Sequence, residues 1–133
     1  MKFVVIIARV LLGLGFVVFG ANILHPFLPM PPMDPAVPST QFSMLMANSG
    51  WMKVIGLFQI IGGILVLFGR TAPLGLTILA GILVNILCFH IFLDNGSNLA
   101  PGLVFSGLDI FLIYAYRDHF KGIFSFNAAP RLG

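Results

Sequence analysis

The sequence predicts an all-α membrane protein, a polytopic four-helix bundle with both termini on the cytoplasmic side. Three observations carry that expectation. Only 8% of the residues are charged, 59% are hydrophobic and the mean hydropathy is +1.05, against roughly 25% charged and 45–50% apolar in soluble domains. Four apolar runs of spanning length divide the chain. The basic residues fall almost entirely on one side of those runs. With 133 residues the chain is expected to form a single membrane domain.

The runs cover residues 3–24, 51–69, 72–93 and 99–116. Each is about 18–22 residues, enough for a helix to cross a hydrocarbon core of about 30 Å. None alternates polar with apolar residues, and each is about twice as long as a barrel strand needs to be. Lys2 followed by an apolar stretch has the outline of a signal peptide. Arg9 interrupts it, however, and the run reaches full spanning length, so the segment is expected to be retained.

Arg70 and Thr71 join the second and third runs, and Asp94–Asn98 joins the third and fourth. The connection 25–50 is long and holds six of the nine prolines, Pro26, Pro29, Pro31, Pro32, Pro35 and Pro38. Proline fixes φ and lacks a donor, so 26–38 is expected to be extended. A short helix is expected over 39–48, capped by Ser39 or Thr40, with Phe42, Leu45 and Met46 resting on the membrane surface.

Lys2, Arg70, Arg117, Lys121 and Arg131 lie on one side if the N-terminus is inside, whereas the loops 25–50 and 94–98 contain no Lys or Arg. Lys53, just inside the second run, is the outer exception. The asymmetry predicts N-in, C-in, with a cytoplasmic tail over 117–133 whose Phe120, Phe124 and Phe126 dip into headgroups. The net charge of +3 then holds inner loops against anionic lipid; the few, scattered basic residues do not suit nucleic acid.

Ionisable groups at membrane depth are functional candidates by default. Arg9 and Asp109 fall at similar depth in the inner half, and a buried ion pair between them is expected. Asp109→Asn would then destabilise the fold by stranding Arg9. Gln59 and Asn85 lie near mid-membrane, where amides hydrogen-bond across helices or line a cavity for a carbonyl or quinone headgroup. Arg9, Gln59, Asn85 and Asp109 therefore form a candidate intramembrane polar column. Small residues flank it: Gly13 and Gly20, Gly56 and Gly63, Gly81, and Gly102 with Ser106. An outer polar cluster is expected from Asn22, His25, Lys53, His90 and Asp94, with Lys53 pairing Asp94 beside His90.

No metal site is assigned. Two histidines on different helices with one carboxylate do not define one, and Met30, Met33, Met44 and Met46 are irregularly spaced and read as apolar lid packing rather than as copper ligands. The single Cys88 can make neither an intramolecular disulfide nor a C-x-x-C pair. The chain has no nucleotide-binding loop, no H-E-x-x-H and no G-x-S-x-G elbow, which points away from an enzyme in the chain alone.

Several segments together resemble the DoxX family of small bacterial four-helix membrane proteins. They are Arg9–Gly20 with Phe27–Pro32 after it, Lys53–Arg70, Val84–Asp94 and Tyr114–Asp118, so that the likeness covers about residues 5–120. One departure is Gln59, where relatives commonly carry an acidic residue. The resemblance implies a cytoplasmic-membrane location and association with redox systems, such as a thiosulfate:quinone oxidoreductase or a complex handling oxidative and thiol stress. The first expectation for function is thus a non-catalytic membrane subunit or anchor beside a redox protein partner or a second copy of the chain. The second is a small-ligand binding or transport protein using the polar column, and the third an enzyme using that column directly. An interior cavity lined by the column would favour the last two.

Overall fold

The computed structural model describes residues 1–30 and 32–132; Pro31, in the expected extended connection, and Gly133, at the end of the tail, lie outside the described residues. Among the described residues all regular structure is helical. The elements are α1 (Lys2–Leu24), α2 (Pro38–Ser49), α3 (Trp51–Leu67), α4 (Ala72–Cys88, continued by a π-helical turn over Phe89–Leu93) and α5 (Leu99–Ala115), followed by a 3-10 turn at Arg117–His119.

The long helices coincide with the apolar runs. α1 and the continuous helix Ala72–Leu93 are long and apolar enough to cross a membrane, which points to a membrane protein. α3 and α5 have 17 residues each, or about 25 Å of helix. α3 stops two residues before its run does because Gly69 adopts φ +72° and reverses the chain.

Glycine sets the packing. α1 and α3 are antiparallel, with Gly13 facing Gly63 and Gly20 facing Gly56. A methyl group on Gly63 would sit 2.6 Å from the Gly13 carbonyl oxygen, and one on Gly20 2.7 Å from that of Gly56. The backbones touch directly at two places seven residues apart, the close approach that small residues permit. Gly75 presses on the Gly62 carbonyl in the same way and joins α4 to α3. α5 packs on α4 through Gly102 and returns to α1 through Phe105, which lies over Gly15 with its ring 5.4 Å from that of Phe16. Leu12, Phe16, Val66, Leu76, Leu79, Leu83 and Leu112 fill the centre. The outside is also apolar: Ile7, Leu11, Val54, Phe58, Leu74, Val84, Val104 and Ile110 are all exposed. A continuous apolar exterior of this extent needs lipid or protein against it.

The outer connection departs from expectation in its details. α2 begins with Pro38 at its first turn and Val37 as N-cap, so neither Ser39 nor Thr40 caps it; both are buried instead. Gly50, at φ +86°, ends α2 and starts α3, and the two helices meet at 88°. The expected common face of α2 is split. Met46 is buried and Phe42 lies against Phe89, whereas Leu45 is 68% exposed. Met30, Met33 and Met44 are exposed, so only Met46 contributes to a lid. In the tail, Phe124 and Phe126 are exposed but Phe120 is buried and joins the core cluster.

Candidate functional site

The expected polar column does not assemble as a unit. Arg9 makes no ion pair with Asp109. Its Nε donates to the Val66 carbonyl at 3.1 Å and its Nη2 to that of Leu67 at 2.7 Å. These are end-of-helix carbonyls of α3, which lack intrahelical partners and carry the negative end of the helix dipole. Gly69 makes room for the arrangement, since a Cβ there would stand 2.9 Å from the guanidinium carbon. The physical reason is direction rather than depth. The register of Phe105 against Gly15 and Phe16 sets Asp109 only about 4 Å along the bundle from the level of Arg9. Arg9, however, belongs to the Gly13–Gly20 stripe, and that stripe faces α3.

Asp109 is 3% exposed and Gln59 5% exposed. Asp109 Oδ1, Gln59 Oε1 and Ser106 Oγ are buried without a hydrogen-bond partner. Ser106 and Asp109 lie one turn apart on α5. Gln59 approaches from α3, against Gly20. Asn85 leaves the column altogether: it is exposed on α4, and its Nδ2 donates to the Gly81 carbonyl one turn earlier at 2.8 Å. That local bond satisfies the amide without a partner helix, and open space lies beside Gly81.

The outer cluster divides into two local sites. His90 Nδ1 donates to Asp94 Oδ2 at 3.2 Å across the expected shared helix face, in place of the expected Lys53 pair, and Ser39 Oγ donates to Asp94 Oδ1 at 3.1 Å. The His90 ring, with Ser39 beside it, holds the Asp94 carboxyl below its ordinary value of 3.8. Asp94 thus ties the first turn of α2 to the end of α4. Lys53 is exposed and not paired with it; His90 and Ser39 take that place. Asn22 Oδ1 accepts the backbone N–H groups of Phe27 and Leu28, both at 2.9 Å, and turns the chain out of α1. His25 is exposed at that turn. Among the described residues no three His, Cys, Asp or Glu side chains come together.

A feature not anticipated from the sequence lies at the opposite end. Arg9, Phe68, Gly69, Arg70, Pro73, Tyr116 and His119 line a pocket of about 550 Å³ between α1, the α3–α4 turn and the end of α5. A second groove, of about 450 Å³, runs past Ile113, Tyr114, Arg117, Phe120 and Lys121. In it Arg117 stacks on the Tyr114 ring, 4.4 Å from its centre. Neither is lined by Gln59, Asn85 or Asp109. Matching Gly13 to Gly63 in an antiparallel pair sets Arg9 opposite Leu67, beside the Gly69–Arg70 turn, but nothing in the sequence brings His119 there.

No protein-family model, no curated protein and no solved structure matches this chain.

Proposed function

We propose that the chain is a multi-pass protein of the cytoplasmic membrane, crossing four times with both ends inside, and that it acts as a non-catalytic subunit or anchor for a redox-linked protein partner. The observation that supports the non-catalytic part is that two of the four deep polar residues are spent on the scaffold. Arg9 secures the end of α3 and Asn85 its own helix, while backbone-to-backbone glycine contacts close the space between α1, α3 and α4. The four-span reading rests on α1, α3, α4 and α5 following the apolar runs, with Lys2, Arg70, Arg117, Lys121 and Arg131 all beyond their inner ends. α3 and α5 are short for an average bilayer, a mismatch that local thinning and flanking residues accommodate. α2 then lies along the outer surface. The redox association comes from the resemblance to DoxX proteins.

Two measurements test this. Single cysteines in a Cys88→Ala background, one at Met44 and one at Asn127, should be labelled from opposite sides of the membrane; labelling from the same side overturns the topology. Mild-detergent purification from native membranes should recover a partner at fixed stoichiometry with flavin, haem or iron–sulfur absorbance. Recovery of a chain without such a partner overturns the subunit reading. A second reading, a small-ligand binding or transport protein, is favoured by the unpartnered oxygens of Gln59, Ser106 and Asp109, since buried polar atoms without partners are rare.

A further inference from the structure

The inner pocket gathers positive charge, and the carboxylate nearest to it in sequence, Asp118 beside His119, is paired with Lys121 at 3.1 Å. Arg9 and Arg70 both line it, and His119 faces them from the turn after α5. Among the described residues the only ion pairs are His90–Asp94, at the other end of the molecule, and Lys121–Asp118. Neither guanidinium therefore has a carboxylate. Arg9 uses Nε and one Nη2 hydrogen on α3; its Nη1 hydrogens make no hydrogen bond in the structure. Arg70 makes no side-chain hydrogen bond either, and its chain is exposed and free to fold over the opening. His119 offers a ring N–H in either tautomer and Tyr116 a hydroxyl. The first turn of α4, at Pro73, adds the positive end of a helix dipole.

Placement narrows the ligand. Arg9 lies seven residues into α1, and Phe3, Val4, Ile6 and Ile7, all exposed, extend past the pocket. The pocket is thus set about 10 Å above the level of Lys2, and its own lining adds Phe68, Pro73 and Tyr116 as apolar surface beside the basic groups. A small hydrated anion gains nothing from such surface. An anion joined to an acyl chain gains from both.

We infer that this pocket binds a phosphate group, gripped by Arg9 Nη1 and the Arg70 fork with His119 and Tyr116 donating beside them, and that its natural bearer is an anionic phospholipid. Two guanidinium groups suit phosphate because each presents paired donors to paired oxygens. The inference concerns a site that the proposed subunit role does not use. It holds whether or not a redox partner exists.

The test is titration of delipidated protein in mild detergent, followed by native mass spectrometry. The probes are phosphatidylglycerol, phosphatidylcholine and inorganic phosphate. Phosphatidylglycerol should bind at least tenfold more tightly than phosphatidylcholine. Arg70→Gln and His119→Gln should each weaken it several-fold, and Lys121→Gln, on the neighbouring groove, should leave it unchanged. Both test residues are exposed, so the fold does not depend on them; Arg9→Gln is avoided because Arg9 also holds α3. If millimolar inorganic phosphate displaces the lipid, the site takes a soluble phosphate compound; if it does not, the lipid is the bearer. Equal binding of the two lipids overturns the proposal, and so does equal loss in Arg70→Gln and Lys121→Gln, which would mark general surface charge.

Discussion

Gly63→Ala and Gly81→Ala are chemically the same change at two positions with opposite surroundings. At Gly63 the new methyl meets the Gly13 carbonyl oxygen at 2.6 Å, Val17 Cγ2 at 2.9 Å and the Val17 backbone nitrogen at 3.1 Å. Two of the three are backbone atoms, so no rotamer change relieves them. Moving the 2.6 Å contact to the 3.4 Å where ordinary contact begins requires α1 and α3 to part by about 0.8 Å. Overpacking of this kind costs about 1–3 kcal/mol, while alanine returns about 1 kcal/mol of helix propensity. The net expectation is a loss of about 0–2 kcal/mol. At Gly81 nothing lies within 4 Å of the methyl, so only the propensity remains and the variant should gain about 0.5–1 kcal/mol. Unfolding by SDS titration from mild-detergent micelles measures both on one scale. Equal stabilities for the two variants would refute the direct backbone contact between α1 and α3.

Three further outcomes are expected. Arg9→Gln should lower stability by about 2 kcal/mol in the same assay, by removing charged bonds to the end of α3, and Arg9→Lys should fall between it and wild type because lysine cannot reach two carbonyls as a fork. Asp109→Asn should leave stability equal or raised, because the amide replaces a buried carboxyl that pairs with nothing; a clear loss would restore the ion pair with Arg9. Acid should loosen α2. Because the folded Asp94 carboxyl titrates below its ordinary 3.8, its contribution is present above that value and disappears as pH falls through the folded value. Trp51 fluorescence should report the change, and Asp94→Asn should abolish its pH dependence while sparing that of the Asp118–Lys121 pair.

Helix positions were legible because apolar length is written directly in the chain, and the glycine stripes at 13 and 20 and at 56 and 63 were legible as packing faces. What those stripes faced was not read. Their shared spacing of seven matches α1 to α3, and that match alone turns Arg9 away from α5. Depth along a helix follows from counting; direction around it needs the neighbour identified. Asn85 misled for a different reason, because a mid-membrane amide that bonds one turn back looks in sequence like one that bonds across helices. The π-helical turn at Phe89–Leu93 leaves no mark in a uniformly apolar run. The pocket was hidden because Arg9, Arg70 and His119 are far apart in the chain and meet only once the helices have packed.

The right angle at Gly50 leaves α2 without slack, since one residue separates it from α3. Adding a single residue to the end of α2 would rotate it about 100° on its own axis. Met46 would move into the exposed place of Leu45, Ala47 would take the buried place, and Ser39 would lose its grip on Asp94. Length changes are thus tolerable in the proline-bearing stretch before α2 and costly in the one-residue elbow after it, which makes that elbow the clasp by which the roof is keyed to the walls.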